Sequence, residues 1–406
     1  MSEKTLGRRG FIVTAAGASV GAMAVAKTAQ AADAPSAGAA APSATTAAPA
    51  AASASIPPPK PTGSRKLDDV LRVAREKLYP RCRVCPYCDG EACAGEMPGM
   101  GGVGTGSSFK NNVEALARVR LQLRTMHEVV QPDLTATVFG YNLAMPVMCA
   151  SLGGTTYNMG GKMSEEDFID AVLGGADRAG TMAFIADGVE DPLETYKVRL
   201  AAIGRHGGRG VGVVKPRENK EILARARLIE EAGGTALAVD IDSSGRAARA
   251  AKMGAWMGPK SPKDLEQIAR GTKLPLVLKG IMTVDEAKLA VEVGAKGIVV
   301  SNHGGRNLDH TPGTAEVLPA IADKVKGKVT ILVDGGIRYG NDVLKVLALG
   351  ADAALVGRPI IRGAHGGGAE GVHLVLEKMR GELAENMVIT GTASTRSVSR
   401  RILATA

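Results

Sequence analysis

Aromatic residues are scarce in this chain, since phenylalanine, tryptophan and tyrosine together make up 3% of its 406 residues. A protein that binds single-stranded nucleic acid needs aromatic platforms on which bases stack, so this composition argues against that class. Long apolar runs are absent as well, because no stretch approaches the roughly 20 residues that a membrane-spanning helix requires. We therefore expect neither a nucleic-acid partner nor a transmembrane span in the mature chain.

The net charge of +9 gives little reason to expect a polyanionic partner. Residues 1–31 contain four basic residues and one acidic residue, so the rest of the chain carries +6. Those charges form no basic run and are typical of a solvated surface. With 45% hydrophobic residues, the chain is long enough to bury a sizeable core.

The N-terminus has the pattern of an export signal. The pair Arg8-Arg9 precedes a weakly apolar stretch, Phe11 to Ala26, which contains no leucine, and Ala29-Gln30-Ala31 has the small-x-small pattern of a cleavage site. Residues 1–31 thus resemble a twin-arginine signal peptide. The resemblance implies the twin-arginine translocation machinery as a partner and a periplasmic or other extracytoplasmic location.

The next segments differ sharply in composition. Residues 32–64 are mostly alanine, serine, threonine, proline and glycine, which cannot bury enough apolar surface to fold, so a disordered linker is predicted. Folded structure is expected to begin near Leu67, where apolar residues recur at helical spacing. We predict a helix with a Cys-rich and Gly-rich segment over residues 65–110, and a barrel over residues 111–400.

Eight short apolar runs alternate with amphipathic helical stretches from Met145 onward. Repeated βα units of this kind over about 250 residues predict an α/β fold, a (β/α)8 TIM barrel, rather than an open sheet. The predicted strands are Pro146–Ala150, Thr181–Ala186, Gly210–Val214, Ala236–Ile241, Leu274–Lys279, Gly297–Ser301, Thr330–Val333 and Ala353–Val356. Predicted helices include Glu165–Ala179, Glu218–Ala232, Val284–Val293, Thr314–Val325 and Gly340–Leu349.

In this fold the chemistry lies at the carboxyl ends of the strands. Strand six ends in a loop from Ser301 to Asp309, where His303 supplies a base and Arg306 a fixed cation, a pair suited to removing a proton while holding a carboxylate. Gly-rich turns follow strands seven and eight, and their backbone N–H groups can bind a phosphate together with an arginine. These turns are Asp334-Gly335-Gly336-Ile337-Arg338 and Gly357-Arg358-Pro359.

These segments, with Lys279-Gly280 after strand five, resemble the FMN-dependent α-hydroxy-acid oxidase and dehydrogenase family. The resemblance implies FMN at the barrel mouth, with Lys279 beside the flavin ring as a positive charge that stabilises its reduced form. It also implies that His303 takes the substrate proton and that Arg306 holds the substrate carboxylate. Asp240 is implied to orient the imidazole, and Asp242 is the second candidate for that role. The other implied cofactor-binding residues are Ser301, Asp334, Gly335, Gly336, Arg338, Gly357 and Arg358. A homotetramer is implied as well.

The first half of the barrel departs from the family pattern. Strand three contains neither the expected glutamine nor the expected tyrosine, and Ala247 stands where a second carboxylate-binding arginine is expected, with Arg246 next to it. Two interpretations of Lys215 and Arg217 remain open: replacement cations for an acidic substrate, or surface charges on a loop. These departures argue against simple lactate or glycolate as the substrate.

Four of the five cysteines lie within twelve residues, as Cys82, Cys85, Cys88 and Cys93. Their spacing resembles the ferredoxin-type run that binds a [4Fe–4S] cluster. A zinc site with four cysteine ligands remains a second interpretation, and disulfides or free thiols a third. The Gly-rich segment from Pro98 to Gly106 then connects this module to the barrel and could cover the flavin as a lid.

The sequence therefore predicts an exported FMN-dependent enzyme that oxidises a small 2-hydroxy acid, with an electron acceptor that it does not identify. A flavin-dependent isomerase of a phosphorylated substrate, similar to type 2 isopentenyl-diphosphate isomerase, is the main alternative, because it shares the barrel and the phosphate turns. The pairing of His303 with Arg306 favours the oxidase. A non-catalytic flavin electron-transfer protein is the third interpretation.

Overall fold

The computed structural model describes residues 62–189, 192–252 and 254–404. The predicted signal peptide and almost all of the predicted linker lie outside the described residues. Eight parallel strands form a closed barrel in which each strand pairs with the next and the eighth pairs with the first. The strands are β1 (Val147–Leu152), β2 (Ala183–Ala186), β3 (Gly210–Val214), β4 (Ala236–Asp240), β5 (Leu276–Ile281), β6 (Gly297–Val300), β7 (Thr330–Val333) and β8 (Ala353–Val356).

The predicted TIM barrel is confirmed, and the observed strand ends differ from the predicted ones by no more than about two residues. The strands read as continuous apolar runs because both of their faces are covered. One set of side chains, including Met148, Phe184 and Leu332, fills the barrel interior. The alternate set, including Val239, Ile298 and Val333, packs outward against the helices.

Helices surround this barrel, and some were not predicted from the sequence. The helix Arg358–Ile389 is interrupted at Gly367 and Gly368, where the backbone leaves the helical region. The helices Leu193–Arg205, Pro262–Gly271 and Arg358–Ile389 were not among the examples named from the sequence. The described α-helices are Arg65–Leu78, Ser107–Arg118, Thr155–Asn158, Glu165–Arg178, Leu193–Arg205, Asn219–Glu231, Ala247–Ala251, Pro262–Gly271, Val284–Glu292, Thr314–Val325, Gly340–Leu349 and Arg358–Ile389.

The helix Arg65–Leu78 lies against the last helix of the chain. Its N-cap is Ser64, whose side chain accepts a hydrogen bond from the Leu67 amide. A Cβ atom on Gly366 would lie 2.0 Å from the Val70 carbonyl oxygen, so a glycine is needed for the two helices to approach this closely. The segment before the cysteines is thereby fixed to the C-terminal part of the barrel.

A short antiparallel hairpin, Ala136–Val138 with Tyr141–Leu143, covers the end of the barrel at which the strands begin. Its Phe139 packs against Gly297, where a Cβ atom would lie 2.8 Å from the ring. Because Gly297 is the first residue of β6, the hairpin covers the amino ends of the strands and leaves the carboxyl ends available for a site. In the described part of the chain, no helix is both long and apolar enough to span a bilayer.

Candidate active site

One cavity at the carboxyl ends of the strands contains most of the predicted site residues. Ser301 is fully buried behind its wall, where the hydroxyl accepts hydrogen bonds from the His303 amide at 3.0 Å and the Lys279 ammonium at 3.3 Å. Ser301 therefore supports two site residues and does not face the cavity. The predicted residues on the wall are Asp240, Lys279, His303, Arg306, Asp334, Gly335, Gly336, Arg338, Gly357 and Arg358.

The backbone after β6 turns sharply and carries His303 into this cavity. His303, Gly304 and Gly305 all have left-handed conformations, with φ values of 58°, 62° and 78°. At Gly305 a Cβ atom would lie 2.3 Å from the Phe109 amide nitrogen, so the helix that contains Phe109 packs directly on the turn. A histidine held in a conformation that L-residues rarely adopt is typical of a functional position.

Two carboxylates face the imidazole, and the one ranked second from the sequence lies closer to it. Nδ1 of His303 lies 3.2 Å from both carboxylate oxygens of Asp242, but 3.5 Å from the nearer oxygen of Asp240. Asp240 is directly opposite Lys279 in the pairing of β4 with β5. The sequence places Asp240 at the strand end, but the distances make Asp242 the closer partner of His303.

Asp240 belongs to a buried charge cluster. Its carboxylate accepts hydrogen bonds from Lys215 at 2.5 Å and Lys279 at 3.1 Å. Burial alone would raise the pKa of Asp240, but the two ammonium groups and His303 hold it well below its usual range. For Lys279, burial favours the neutral form, yet the surrounding carboxylates raise its pKa. The result is a permanently charged lysine at the position predicted to face the flavin ring.

The structure contradicts one of the two interpretations of the cations after β3, that they are surface charges. Lys215 and Arg217 are buried, so they are not surface charges. The Arg217 guanidinium is paired with Asp187, with 2.8 Å between Nε and the carboxylate. Lys215 lines the cavity but is paired with Asp240. Each of these two cations thus has a carboxylate partner in the chain, although Lys215 shares Asp240 with Lys279.

The turns after β7 and β8 have the features expected of the predicted anion site. Gly335 and Gly336 have φ values of 92° and 81°, and at Gly336 a Cβ atom would lie 2.5 Å from the Asn112 carbonyl oxygen, so both must be glycine. Within the described residues, Nε and Nη2 of Arg338 are buried without a hydrogen-bond partner. Unsatisfied guanidinium donors beside Gly-rich turns fit a phosphate group well, so these residues fit the phosphate of FMN.

Arg358 has a wider role than the predicted phosphate contact. Its guanidinium donates to the carbonyl oxygens of Met100 at 2.9 Å and Gly304 at 3.3 Å, and it lies 3.7 Å from the centre of the Phe109 ring. Burial, together with the nearby Arg338, lowers its pKa to about 10. Arg358 therefore joins the phosphate turn to the Gly-rich segment that precedes the barrel.

Arg306 is held by the same Gly-rich segment. It donates to the carbonyl oxygens of Gly99 at 2.6 Å and Gly101 at 3.1 Å, and to Asn158 at 3.0 Å. Burial, with repulsion from other guanidinium groups that include Arg246, lowers its pKa to about 9. Among the described residues, no carboxylate forms an ion pair with Arg306.

Arg246 lines the same cavity and donates to the Asn307 side chain at 2.8 Å. Arg246, next to the position where the second carboxylate-binding arginine is expected, therefore brings a guanidinium group to this cavity. Arg246 and Arg306 are therefore two cations whose described hydrogen-bond partners are all uncharged. A carboxylate ligand would supply the missing negative charge.

All four clustered cysteines line a second cavity. They are free thiols, as is Cys149, which is buried in β1. No three of the four sulfur atoms lie within 4.8 Å of one another, whereas Zn–S bonds of about 2.3 Å in a tetrahedral zinc site place sulfur atoms about 3.8 Å apart. The arrangement of the thiols therefore departs from that of a closed zinc site.

This second cavity is strongly cationic. Nε of Arg362 is buried and has no hydrogen-bond partner among the described residues, and Nη2 lies 3.9 Å from the Cys82 sulfur. Burial raises the pKa of Cys88, but the guanidinium groups of Arg338, Arg362 and Arg358 outweigh burial and lower it to about 6. Burial raises the pKa of Cys93 to about 11. The cavity thus provides positive charge for an anionic, thiolate-bound centre.

The two cavities share part of their walls. Met100 and Arg358 line both of them, so the cysteine cavity lies one layer of side chains from the predicted flavin cavity. No sequence pattern marks Met100, which lines both cavities, or Asn158, which accepts a hydrogen bond from Arg306. Their roles depend on how the Gly-rich segment packs over the barrel.

Comparison with known proteins identifies the family. The family model for FMN-dependent dehydrogenase matches residues 99–261 and 247–405. The chain belongs to the FMN-dependent dehydrogenase family. The cysteine cluster precedes the matched region. This assignment supports the oxidoreductase prediction over the isomerase alternative.

Similar proteins include 2-hydroxyacid oxidases of Dictyostelium discoideum and Arabidopsis thaliana. A 2-hydroxyacid oxidase of Dictyostelium discoideum is 32% identical over 332 residues, covering 73% of this chain and 82% of that protein. A peroxisomal (S)-2-hydroxyacid oxidase of Arabidopsis thaliana is 29% identical over 334 residues, covering 74% and 89%. The crystal structure of a mandelate oxidase has a TM-score of 0.69 and 31% identity, and the match covers 84% of this chain and 98% of that one.

Proposed function

We propose that this enzyme oxidises a 2-hydroxy carboxylate to the 2-oxo acid. The observation that carries the proposal is the placement around one cavity of His303, the charged Lys279 and two guanidinium groups that have no carboxylate partner among the described residues. The guanidinium groups of Arg306 and Arg246 suit the substrate carboxylate, and the His303 ring accepts the proton that the substrate loses. Related 2-hydroxyacid oxidases and mandelate oxidase support this substrate class.

FMN would lie with its phosphate on Gly335, Gly336, Arg338, Gly357 and Arg358. When bound, it supplies the acceptor for the electron pair that the substrate loses. The chain contributes fixed charge: Lys279 is held by Asp240 and Ser301, so its ammonium stays at one place during the reaction. The Gly-rich segment excludes water by covering Arg306 and Arg358.

We further propose that the four cysteines bind a [4Fe–4S] cluster, which makes the enzyme a dehydrogenase. Four thiolates give the cluster a net negative charge, and Arg358 and Arg362 in the cavity wall offset it. Oxidation of each substrate would release two electrons and two protons; the electrons would pass one at a time to an external one-electron carrier, and the protons would be released to solvent. The shared wall of Met100 and Arg358 supports a short path between the cavities. The identity of the carrier and the homotetramer remain predictions.

Metal analysis of anaerobically purified full-length protein tests this second proposal. We expect about four irons per flavin, together with a cluster-type electron paramagnetic resonance signal after reduction. Both readouts are independent of turnover. Zinc in place of iron, or an absence of both metals, would contradict the cluster and leave the cysteines as a structural module.

We also propose that the enzyme is exported in the folded state, on the evidence of Arg8-Arg9 and the weakly apolar stretch after them. Replacing both arginines by lysine should leave uncleaved precursor in the cytoplasm, measured by fractionation and immunoblotting. The chain offers a matched control in its other adjacent pair, Arg400-Arg401, whose replacement by lysines should leave export intact. Normal export of the Arg8-Arg9 variant would show that this pair is incidental.

A further inference from the structure

Asp240 and Asp242 differ in the charged groups with which their carboxylates form ion pairs. One Asp240 oxygen accepts from Lys215 at 2.5 Å and from the Ser243 hydroxyl at 2.9 Å. Its other oxygen accepts from Lys279 at 3.1 Å. Asp240 therefore compensates two buried ammonium groups, and its interaction with His303 at 3.5 Å is the longest of its described ion-pair contacts.

Asp242 has no such commitment. Both of its carboxylate oxygens lie 3.2 Å from Nδ1 of His303. In the part of the chain that the structure describes, no lysine or arginine nitrogen lies close enough to this carboxylate to form an ion pair. Its negative charge is thus directed at the imidazole.

The local backbone is built for this approach. Gly280 follows Lys279 on β5 with a φ of 111°, and a Cβ atom there would lie 2.6 Å from Cβ of Asp242. Any other residue at position 280 would displace Asp242 from His303. The glycine next to the flavin-side lysine therefore creates the space that the second carboxylate occupies.

We infer that Asp242, and not Asp240, is the positioning residue that orients the imidazole of His303 and stabilises its protonated form after proton abstraction. The inference rests on the proposed oxidation. A carboxylate in contact with Nδ1 leaves the other ring nitrogen available to the substrate and balances the charge that forms on the ring. Asp240 is then left to hold Lys215 and Lys279 in place.

Matched carboxyl-to-amide variants separate the two roles. Full-length holoenzyme is mixed anaerobically with glycolate, (S)-lactate or (S)-mandelate, and the rate of flavin bleaching is followed across pH. We expect Asp242→Asn to retain FMN, to be reduced about 10- to 100-fold more slowly, and to move the acid limb of the profile about one to three pH units lower. The direction follows because removing a carboxylate destabilises the protonated imidazole. The other charged groups that face His303 are Lys279, Asp240 and Asp334.

Asp240→Asn should instead lower the thermal midpoint and move the acid limb less than Asp242→Asn does. An Asp242→Asn shift that is equal to or smaller than the Asp240→Asn shift would overturn the inference. Where Asp240→Asn does not fold, Asp242→Glu decides, because restoring the carboxylate should return the acid limb toward the wild-type position, and no return would overturn the inference. Failure of every acid to reduce the wild type overturns the proposed function and this inference together. A reducible wild type with an unshifted Asp242→Asn profile overturns the inference alone.

Discussion

His303→Ala should remain yellow and lose reduction by substrate, with a bleaching rate about 10² to 10⁴ lower than that of the wild type. The variant keeps its flavin because His303 is not among the residues expected to hold the FMN phosphate, which are unchanged. It loses the reaction because no other imidazole of the described residues lines this cavity. The measurement is stopped-flow absorbance under anaerobic conditions, with flavin content determined on the same sample.

The same loop offers a matched control. His310 has a φ of 60°, close to the 58° of His303, but its side chain is exposed to solvent. An alanine substitution at either position therefore carries a similar backbone cost. His310→Ala should be reduced at the wild-type rate, and a His303→Ala enzyme that is reduced equally fast would remove His303 from the mechanism.

Cys85→Ser should abolish dye-linked turnover while leaving anaerobic flavin bleaching by substrate largely intact. Cys85 is the preferred position because Cys82 is buried and contacts Arg362, so that substitution would disturb packing. The expected result follows because the loss of one thiolate ligand removes the cluster but leaves the flavin cavity unchanged. Iron content should fall together with turnover.

Cys149→Ala is the control for loss of a thiol. Cys149 lies in β1 and is outside the cysteine cavity. Its alanine variant should keep its iron and its dye-linked turnover. Full dye-linked activity in Cys85→Ser would show that electrons do not pass through the cysteine module.

The barrel could be predicted because each of its strands and helices is marked by a pattern in a short stretch of sequence. Strands buried on both faces read as short apolar runs, and the chain repeats this pattern eight times between helical stretches. The interrupted helix Arg358–Ile389 was not predicted because its sequence is rich in glycine. It packs against the helix Arg65–Leu78, which is distant in the sequence. Its stability comes from packing and not from helix propensity.

The candidate site likewise contains residues that the sequence marks and contacts that only the fold creates. His303, Lys279 and the turns after β7 and β8 were found because strand ends and glycine patterns mark them in the sequence. The shorter distance of Asp242 from His303 could not be predicted, since only the fold brings Lys215 close enough to Asp240 to compete with His303 for it. Likewise, no sequence pattern indicates that Arg358 and Met100 line both cavities.

Anaerobic titration of the wild-type holoenzyme with 2-hydroxy acids tests the central claim most directly. Glycolate, (S)-lactate, (S)-mandelate and larger 2-hydroxy acids would be added in turn, and the oxidised flavin absorbance followed together with formation of the 2-oxo acid. We expect at least one acid to bleach the flavin, with one 2-oxo acid formed for each electron pair taken up by the protein. An oxidised flavin spectrum that persists with every acid, in protein that retains FMN, would contradict the proposed oxidation.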